Sequence, residues 1–358
     1  MESRDDRKSG KRLWSTLEVT TRLVRISSVA AVLFLIAVLA VGCGQKPVIR
    51  LYDGQWGSLW VNNAIAEFII EKGYGYPVEA VVANTIVMQE VIKKEGEIDL
   101  NLEMWQQNFI VWYNEQIERG NIVNIGITYE DSSQFFIIPK WVAEEYNIKT
   151  VFDMKDHWEI FQDPEDPSKG IVYNGIVGWE ATEINKVKLE AYGLTRYYNL
   201  VTAGSKDSLE AALARAQQNH KPVFGYYWAP TPLIGAYDWY VLEEPPYTDD
   251  CWEKIIAAIE DKGLHPLDQA CAYETLPVDK VAHKGLLKKA PDVVEMLERM
   301  NVGLEPLNDT LGWADKNEVQ DWEKAATYYL QNYEDGWKTW VTPKAYERIK
   351  KALEEVSS

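Results

Sequence analysis

Apolar and polar positions along residues 48–240 fall into short blocks that switch between a period of two and a period near 3.6. Val48-Ile49-Arg50-Leu51-Tyr52 reads as a strand, and Asp53-Gly54-Gln55-Trp56-Gly57-Ser58 as the loop after it. Helical spacing follows from Leu59 to Lys72 and stops at Gly73. Pro77–Val82 is a second strand, Thr85–Lys94 a helix ending at Gly96, and Ile98–Leu102 a third strand leading to Glu103-Met104-Trp105. Asn108–Arg119 is helical. The repeated strand–helix order predicts an α/β protein with a mostly parallel sheet covered by helices.

A second stretch repeats the grammar. Phe135–Pro139 is a strand, Trp141–Tyr146 a helix, and Val151–Met154 caps a short one. A Pro/Asp/Gly-rich loop from Phe161 to Gly170 precedes a strand at Gly170–Tyr173 that runs into Gly175-Ile176-Val177-Gly178-Trp179. Thr182–Tyr192 is a helix, Asn199–Ala203 a strand, and Ser205 caps a helix through Gln218. Pro222–Trp228 is again a strand with aromatic residues at its end. Beyond Trp239–Glu243 the pattern turns mostly helical, with helices at Ala290-Pro291-Asp292, Asn317–Asn332 and Pro343–Glu355. A chain of this length exceeds what one core supports, so two domains are expected. The division expected is residues 43–136 and 241–358 in one lobe and 137–240 in the other, with crossings near Ile137 and Tyr240.

Residues 1–42 stand apart from this pattern. Seven basic residues precede an apolar run from Val29 to Val41, the form of a secretory signal. The run is shorter than the ~20 residues of a membrane span. Leu39-Ala40-Val41-Gly42-Cys43 resembles a bacterial lipobox, which makes Cys43 the expected lipidated first residue of an extracytoplasmic, membrane-anchored protein. An uncleaved anchor is the alternative.

The leader carries four acidic residues against its seven basic ones, so residues 43–358 hold −21 of charge where the whole chain holds −18. Such a surface repels nucleic acid and attracts cations, although solubility alone also accounts for it. After Cys43 only Cys251 and Cys271 remain, a candidate disulfide in an oxidising compartment, or else two buried thiols. The four histidines are scattered, and neither a metal ligand set nor a cofactor motif is present. Gly-x-Ser-x-Gly, phosphate-loop and dinucleotide patterns are also missing, so an enzyme is not expected.

Tryptophan changes the picture. Of fifteen in the chain, Trp56, Trp105, Trp179 and Trp228 sit beside glycine, proline or acid at the ends of strands. Ligands of such sheets bind beyond the carboxyl ends of the strands. Indole is the best ring face for a cation that has no N–H to donate. Tyr227 is a weaker fifth candidate, and Trp60 is assigned to packing. For each ring the ordinary alternative is a core or surface aromatic.

Several segments, in order, resemble the glycine betaine/choline-type substrate-binding proteins of bacterial ABC transporters. They include Trp56-Gly57-Ser58-Leu59-Trp60, Gly73-Tyr74-Gly75-Tyr76-Pro77, Glu103-Met104-Trp105, Ala191-Tyr192-Gly193-Leu194, Trp228-Ala229-Pro230 and Ala290-Pro291-Asp292-Val293, within residues 48–353. The resemblance implies a two-lobed, type II venus-flytrap fold closing on a quaternary ammonium ligand, acting as a monomer with a permease and an ATPase. It implies an aromatic cage of Trp56, Trp105, Trp179 and Trp228. A betaine carboxylate would want backbone N–H groups, for which Gly54, Gln55 and Gly178 are the candidates. Glu103 would attract the cation or serve a hydroxyl, with Asp53 as its substitute. Choline-selective members tend to carry Asp where this chain has Ser58, which favours a betaine-like ligand. Gln106-Gln107 departs from the family's proline-bearing stretch. A sugar receptor with stacked tryptophans, another amine or amino-acid receptor, and a surface adhesin are the rival readings.

Overall fold

Among the described residues nine strands make up one sheet: β1 (Ile49–Asp53), β2 (Val78–Val82), β3 (Leu100–Met104), β4 (Ile122–Pro139), β5 (Gly170–Ile176), β6 (Tyr198–Ala203), β7 (Gly225–Ala229), β8 (Trp239–Val241) and β9 (Leu276–His283). The computed structural model describes residues 46–357, so the leader and Cys43 lie outside the described residues. The strand order is β2-β1-β3-β9-β4-β7-β5-β6, with β8 paired to β4. Helices flank the sheet, which makes the α/β expectation correct. Among the described residues no helix is long and apolar enough to cross a membrane.

The expected mostly parallel sheet needs correction, because the sheet is mixed. Pairings of β1 with β2 and β3, and of β5 with β6 and β7, are parallel. All those made by β4 and β9 are antiparallel. The strand β4 is also far longer than the expected Phe135–Pro139. Its first part, Ile122 to Ser132, pairs with β9, and its last part, Ser133 to Pro139, with β7 and then β8. Three register shifts break its pairing with β9. Polar Asn124, Thr128, Ser132 and Gln134 on that strand hide its alternation in the sequence.

A second correction concerns β9, which lies between β3 and β4 and comes from a stretch expected to be mostly helical, where no strand was placed. Its sequence, Leu-Pro-Val-Asp-Lys-Val-Ala-His, does not read as a buried strand, yet Asp279, Lys280 and His283 are buried. Tertiary partners make this possible. Tyr113 Oη donates to Asp279 Oδ2 at 2.7 Å, and the Lys280 ammonium donates to the carbonyls of Leu297 and Met300. Such burial is tolerated only with partners in place. Two longer helices were missed, and a third starts later than expected. Asp249–Glu260 and Leu304–Lys316 are helices, and the run expected from Asn317 starts only at Trp322, where the Asp321 carboxylate caps Glu323 N–H.

The C-terminal helices return to the first part of the chain. Trp322–Asn332 packs on Gly57–Phe68, and Pro343–Ser357 on Ile69–Tyr74. A disulfide joins Cys251, in the first turn of Asp249–Glu260, to Cys271, 20 residues on. Closing a loop of that length stabilises by roughly 3 kcal/mol on the chain-entropy account. Replacing both cysteines by alanine is therefore expected to lower the urea midpoint by an amount equivalent to about 2–4 kcal/mol. Titrating the reduced wild-type protein should give the same shift.

Candidate functional site

Strand geometry brings the site together. On β3 successive side chains point to opposite faces, so Asn101, Glu103 and then Trp105, just past its end, share one direction. On β7 the same rule aligns Tyr226 with Trp228. β1 supplies Tyr52, and the loop after it turns into Trp56, whose extended backbone precedes the helix Gly57–Phe68. Beyond β5, Trp179 holds the same place before the helix Glu180–Ala191. All these residues line one small chamber, with Thr85, Asn108, Phe109, Gln134 and Glu180 among its other walls.

The chamber measures about 40 Å³, room for about three water-sized groups. Its four tryptophans are 5–8 % exposed, so each ring is largely buried. Trp56 and Trp179 stand at 89° with centroids 5.9 Å apart, and Trp179 and Trp228 at 82° and 5.1 Å. Successive rings thus form perpendicular walls. No Lys, Arg or His lines the chamber, while two carboxylates, Glu103 and Glu180, do.

Glu103 is 1 % exposed and collects the donors around it. Its Oε2 accepts from Trp56 Nε1 at 2.5 Å, Ser58 Oγ at 3.0 Å and Trp105 Nε1 at 3.4 Å, while Oε1 accepts from Asn62 Nδ2 at 2.8 Å. Burial pushes the carboxyl's pKa up, and these hydrogen bonds oppose it. On the opposite wall, Tyr226 Oη donates to Gln134 Oε1 at 2.7 Å, and Gln134 Nε2 donates to Asn108 Oδ1 at 2.8 Å.

Residues 84–85 and 178–180 form a seam beside the chamber. Gly178 O accepts from Thr85 N–H at 3.2 Å and from Thr85 Oγ1 at 3.0 Å, and Glu180 N–H donates to Thr85 Oγ1 at 2.8 Å. Trp179 Nε1 crosses to the Gly54 carbonyl at 3.2 Å. Glycine is required at 178: its φ is +89°, and a Cβ would lie 2.8 Å from that of Asn84.

Of the residues expected at the site, Trp56, Trp105, Trp179, Trp228 and Glu103 are brought together in this chamber. Tyr227 is not. It points to the other face of β7, stacks behind Trp228 at 4.4 Å and lines a separate cleft with Trp60, Lys206, Glu210 and Trp322. Gly54 and Gln55 do not line the chamber either. Gln55 is exposed with its N–H committed to Asp53 Oδ1, and Gly54 gives way to the Trp56 ring, which a Cβ would approach to 2.0 Å. Gly178 is likewise absent from the chamber walls, and Asp53 is occupied by Trp60 Nε1 at 2.8 Å. Ser58 turns its hydroxyl to Glu103. Sequence reasoning missed Tyr52, Tyr226, Gln134 and Glu180; the alternation along β7 was the signal for Tyr226.

Rings carried at strand ends on both sides of β4 and β9 thus line this one chamber. The chain belongs to the family described as the substrate binding domain of ABC-type glycine betaine transport system, whose profile matches residues 48–332. It is thus the extracytoplasmic solute receptor of such a transporter. The trimethylamine N-oxide-binding protein of Pelagibacter ubique is 23 % identical over 302 residues, 82 % of this chain and 90 % of that protein. Among solved structures, the glycine betaine/L-proline-binding protein ProX of Borrelia burgdorferi superposes with a TM-score of 0.67 at 18 % identity, covering 84 % of this chain and 99 % of that one. A choline-binding protein in complex with choline gives 0.66 at 19 %, covering 86 % and 98 %. Lactococcal OpuAC, closed on glycine betaine, gives 0.63 at 14 %, covering 83 % and 100 %. These structures are two-lobed binding proteins, and the fold is shared.

Two outcomes follow from the chamber's acids. Glu103→Ala leaves several buried donors without an acceptor, at about 1–3 kcal/mol each. A fall in stability of at least about 2 kcal/mol in urea unfolding, with altered tryptophan emission, is expected. For Glu180, burial, then Glu183 and Glu260, push the carboxyl from its ordinary 4.5 up to about 7. The folded state holds this proton more tightly than the unfolded chain, so stability is lost as pH rises through that window. Melting temperatures from pH 5 to pH 8 should therefore fall further in the wild type than in Glu180→Gln.

Proposed function

We propose that the protein captures a small trimethylammonium osmolyte or nutrient, glycine betaine or a close relative, and hands it to a membrane permease driven by an ATPase. The observation that carries this reading is the convergence of four indoles from two parts of the sheet on one chamber walled by carboxylates and free of basic side chains. A methylated nitrogen has no N–H, so a carboxylate attracts it without orienting it. Ring faces do both, contributing on the order of 0.5–2 kcal/mol each. The chamber's small volume and the name of the Pelagibacter ubique relative make trimethylamine N-oxide a member of the same ligand class for this chain.

In this reading residues 43–136 and 241–358 form one lobe and 137–240 the other, and the ligand is held by closure of one on the other. The seam between Thr85 and Gly178, and the bond from Trp179 to Gly54, are the contacts that closure makes. Cys43 carries the lipid that keeps a monomeric receptor at the membrane. No bond in the ligand is made or broken.

Titration by calorimetry or tryptophan fluorescence with methylated amines, hexoses and amino acids tests the reading. Saturable binding of a sugar, and of no methylated amine, would replace it with the sugar-receptor alternative. Trp105→Ala and Trp228→Ala are each expected to weaken binding by about tenfold or more, the worth of one desolvated ring face. Far-ultraviolet circular dichroism of both variants should match the wild type.

A further inference from the structure

Three indoles of the chamber have already committed their N–H groups to the protein. Trp56 and Trp105 donate to Glu103, and Trp179 to Gly54. The Tyr226 hydroxyl and the Gln134 amide are committed as well. The loop amides expected to hold a carboxylate do not line the chamber. A ligand whose second end is an anionic oxygen is left few donors here, and the chamber offers it no cation.

Tyr52 fits that need. Its side chain lines the chamber, is fully buried and lies edge-on to Trp56, with ring centroids 6.0 Å apart. Its hydroxyl stands where Trp56 folds over Gly54, within 2.6 Å of the point a Gly54 Cβ would occupy. Several buried side-chain polar atoms have no hydrogen-bond partner among the described residues. Of these, only the Tyr52 hydroxyl belongs to a residue lining the chamber. A buried hydroxyl left without a partner costs about 1–3 kcal/mol, so such groups are rare and need a reason. Burial, and then the neighbouring Asp53, push its pKa upward, which keeps it a neutral donor.

We propose that the Tyr52 hydroxyl donates the hydrogen bond that holds the ligand's anionic oxygen, while the indoles hold its methylated nitrogen. Tyr52 is then a specificity-determining residue: it separates zwitterions from simple quaternary cations. The inference rests on the receptor reading above, and tetramethylammonium, which has the cationic head and no oxygen, keeps the two separable.

The test compares wild type with Tyr52→Phe, which removes one oxygen and leaves the ring. Dissociation constants for glycine betaine, trimethylamine N-oxide and tetramethylammonium are measured by calorimetry, with the ligand-free melting temperature of each protein. The expected result is a loss of about tenfold or more for the oxygen-bearing ligands, as for a hydrogen bond to a charged group. Tetramethylammonium should bind both proteins equally, and the ligand-free melting temperature should hold or rise. Equal losses for all three ligands, or no loss for any, overturn the inference and leave the aromatic chamber standing. A marked fall in the ligand-free melting temperature would identify a structural hydroxyl and also overturn it. Binding of tetramethylammonium alone by the wild type overturns it too, and binding of none of the three overturns the receptor reading with it.

Discussion

An indole has two chemically different parts, and this site depends on separating them. Its faces suit a methylated cation, but its N–H must find an acceptor once the ring is buried. Turning four rings toward one small space therefore requires acceptors behind them. Glu103 meets that need for Trp56 and Trp105 together, and the Gly54 carbonyl does so for Trp179. The carboxylate is stabilised by the donors that it orients, so neither the acid nor the rings would hold their places alone. Its carboxyl also lies beside the space where a cation would sit.

The mixed sheet explains how rings so distant in sequence meet. Parallel strands β1 and β3 send their carboxyl ends to one edge, and β5 and β7 do the same in the second part. Antiparallel β4 and β9 lie between these groups and couple them in one sheet. The seam at Thr85 and Gly178 then ties the two groups of strand ends beside the chamber. Its contacts are a handful of hydrogen bonds and one close backbone approach.

Much of this was legible before any coordinates, and the failures have identifiable causes. The strands β1, β2, β3, β5 and β6 show themselves because their apolar blocks are bounded by glycine, proline or acid. The four tryptophans were conspicuous because each stands at or just beyond the end of a strand. The strand β9 was hidden because Asp279 and Lys280 are buried with partners from other segments, so its polarity looks like a surface. Tyr227 faces away from the chamber and Tyr226 lines it, because a strand sends neighbours to opposite faces.

Local sequence determined which segments become strands and helices, and that aromatic rings stand at the strand ends, because periodicity and breakers act over a few residues. It also supplied the acid beside Trp105. Only the tertiary structure decided that a single carboxylate would serve two indoles 49 positions apart, that Glu180 would face the same space, and that the Tyr52 hydroxyl would be left without a protein partner. Those outcomes depend on which donors and acceptors arrive from remote parts of the chain, and no local pattern records their arrival.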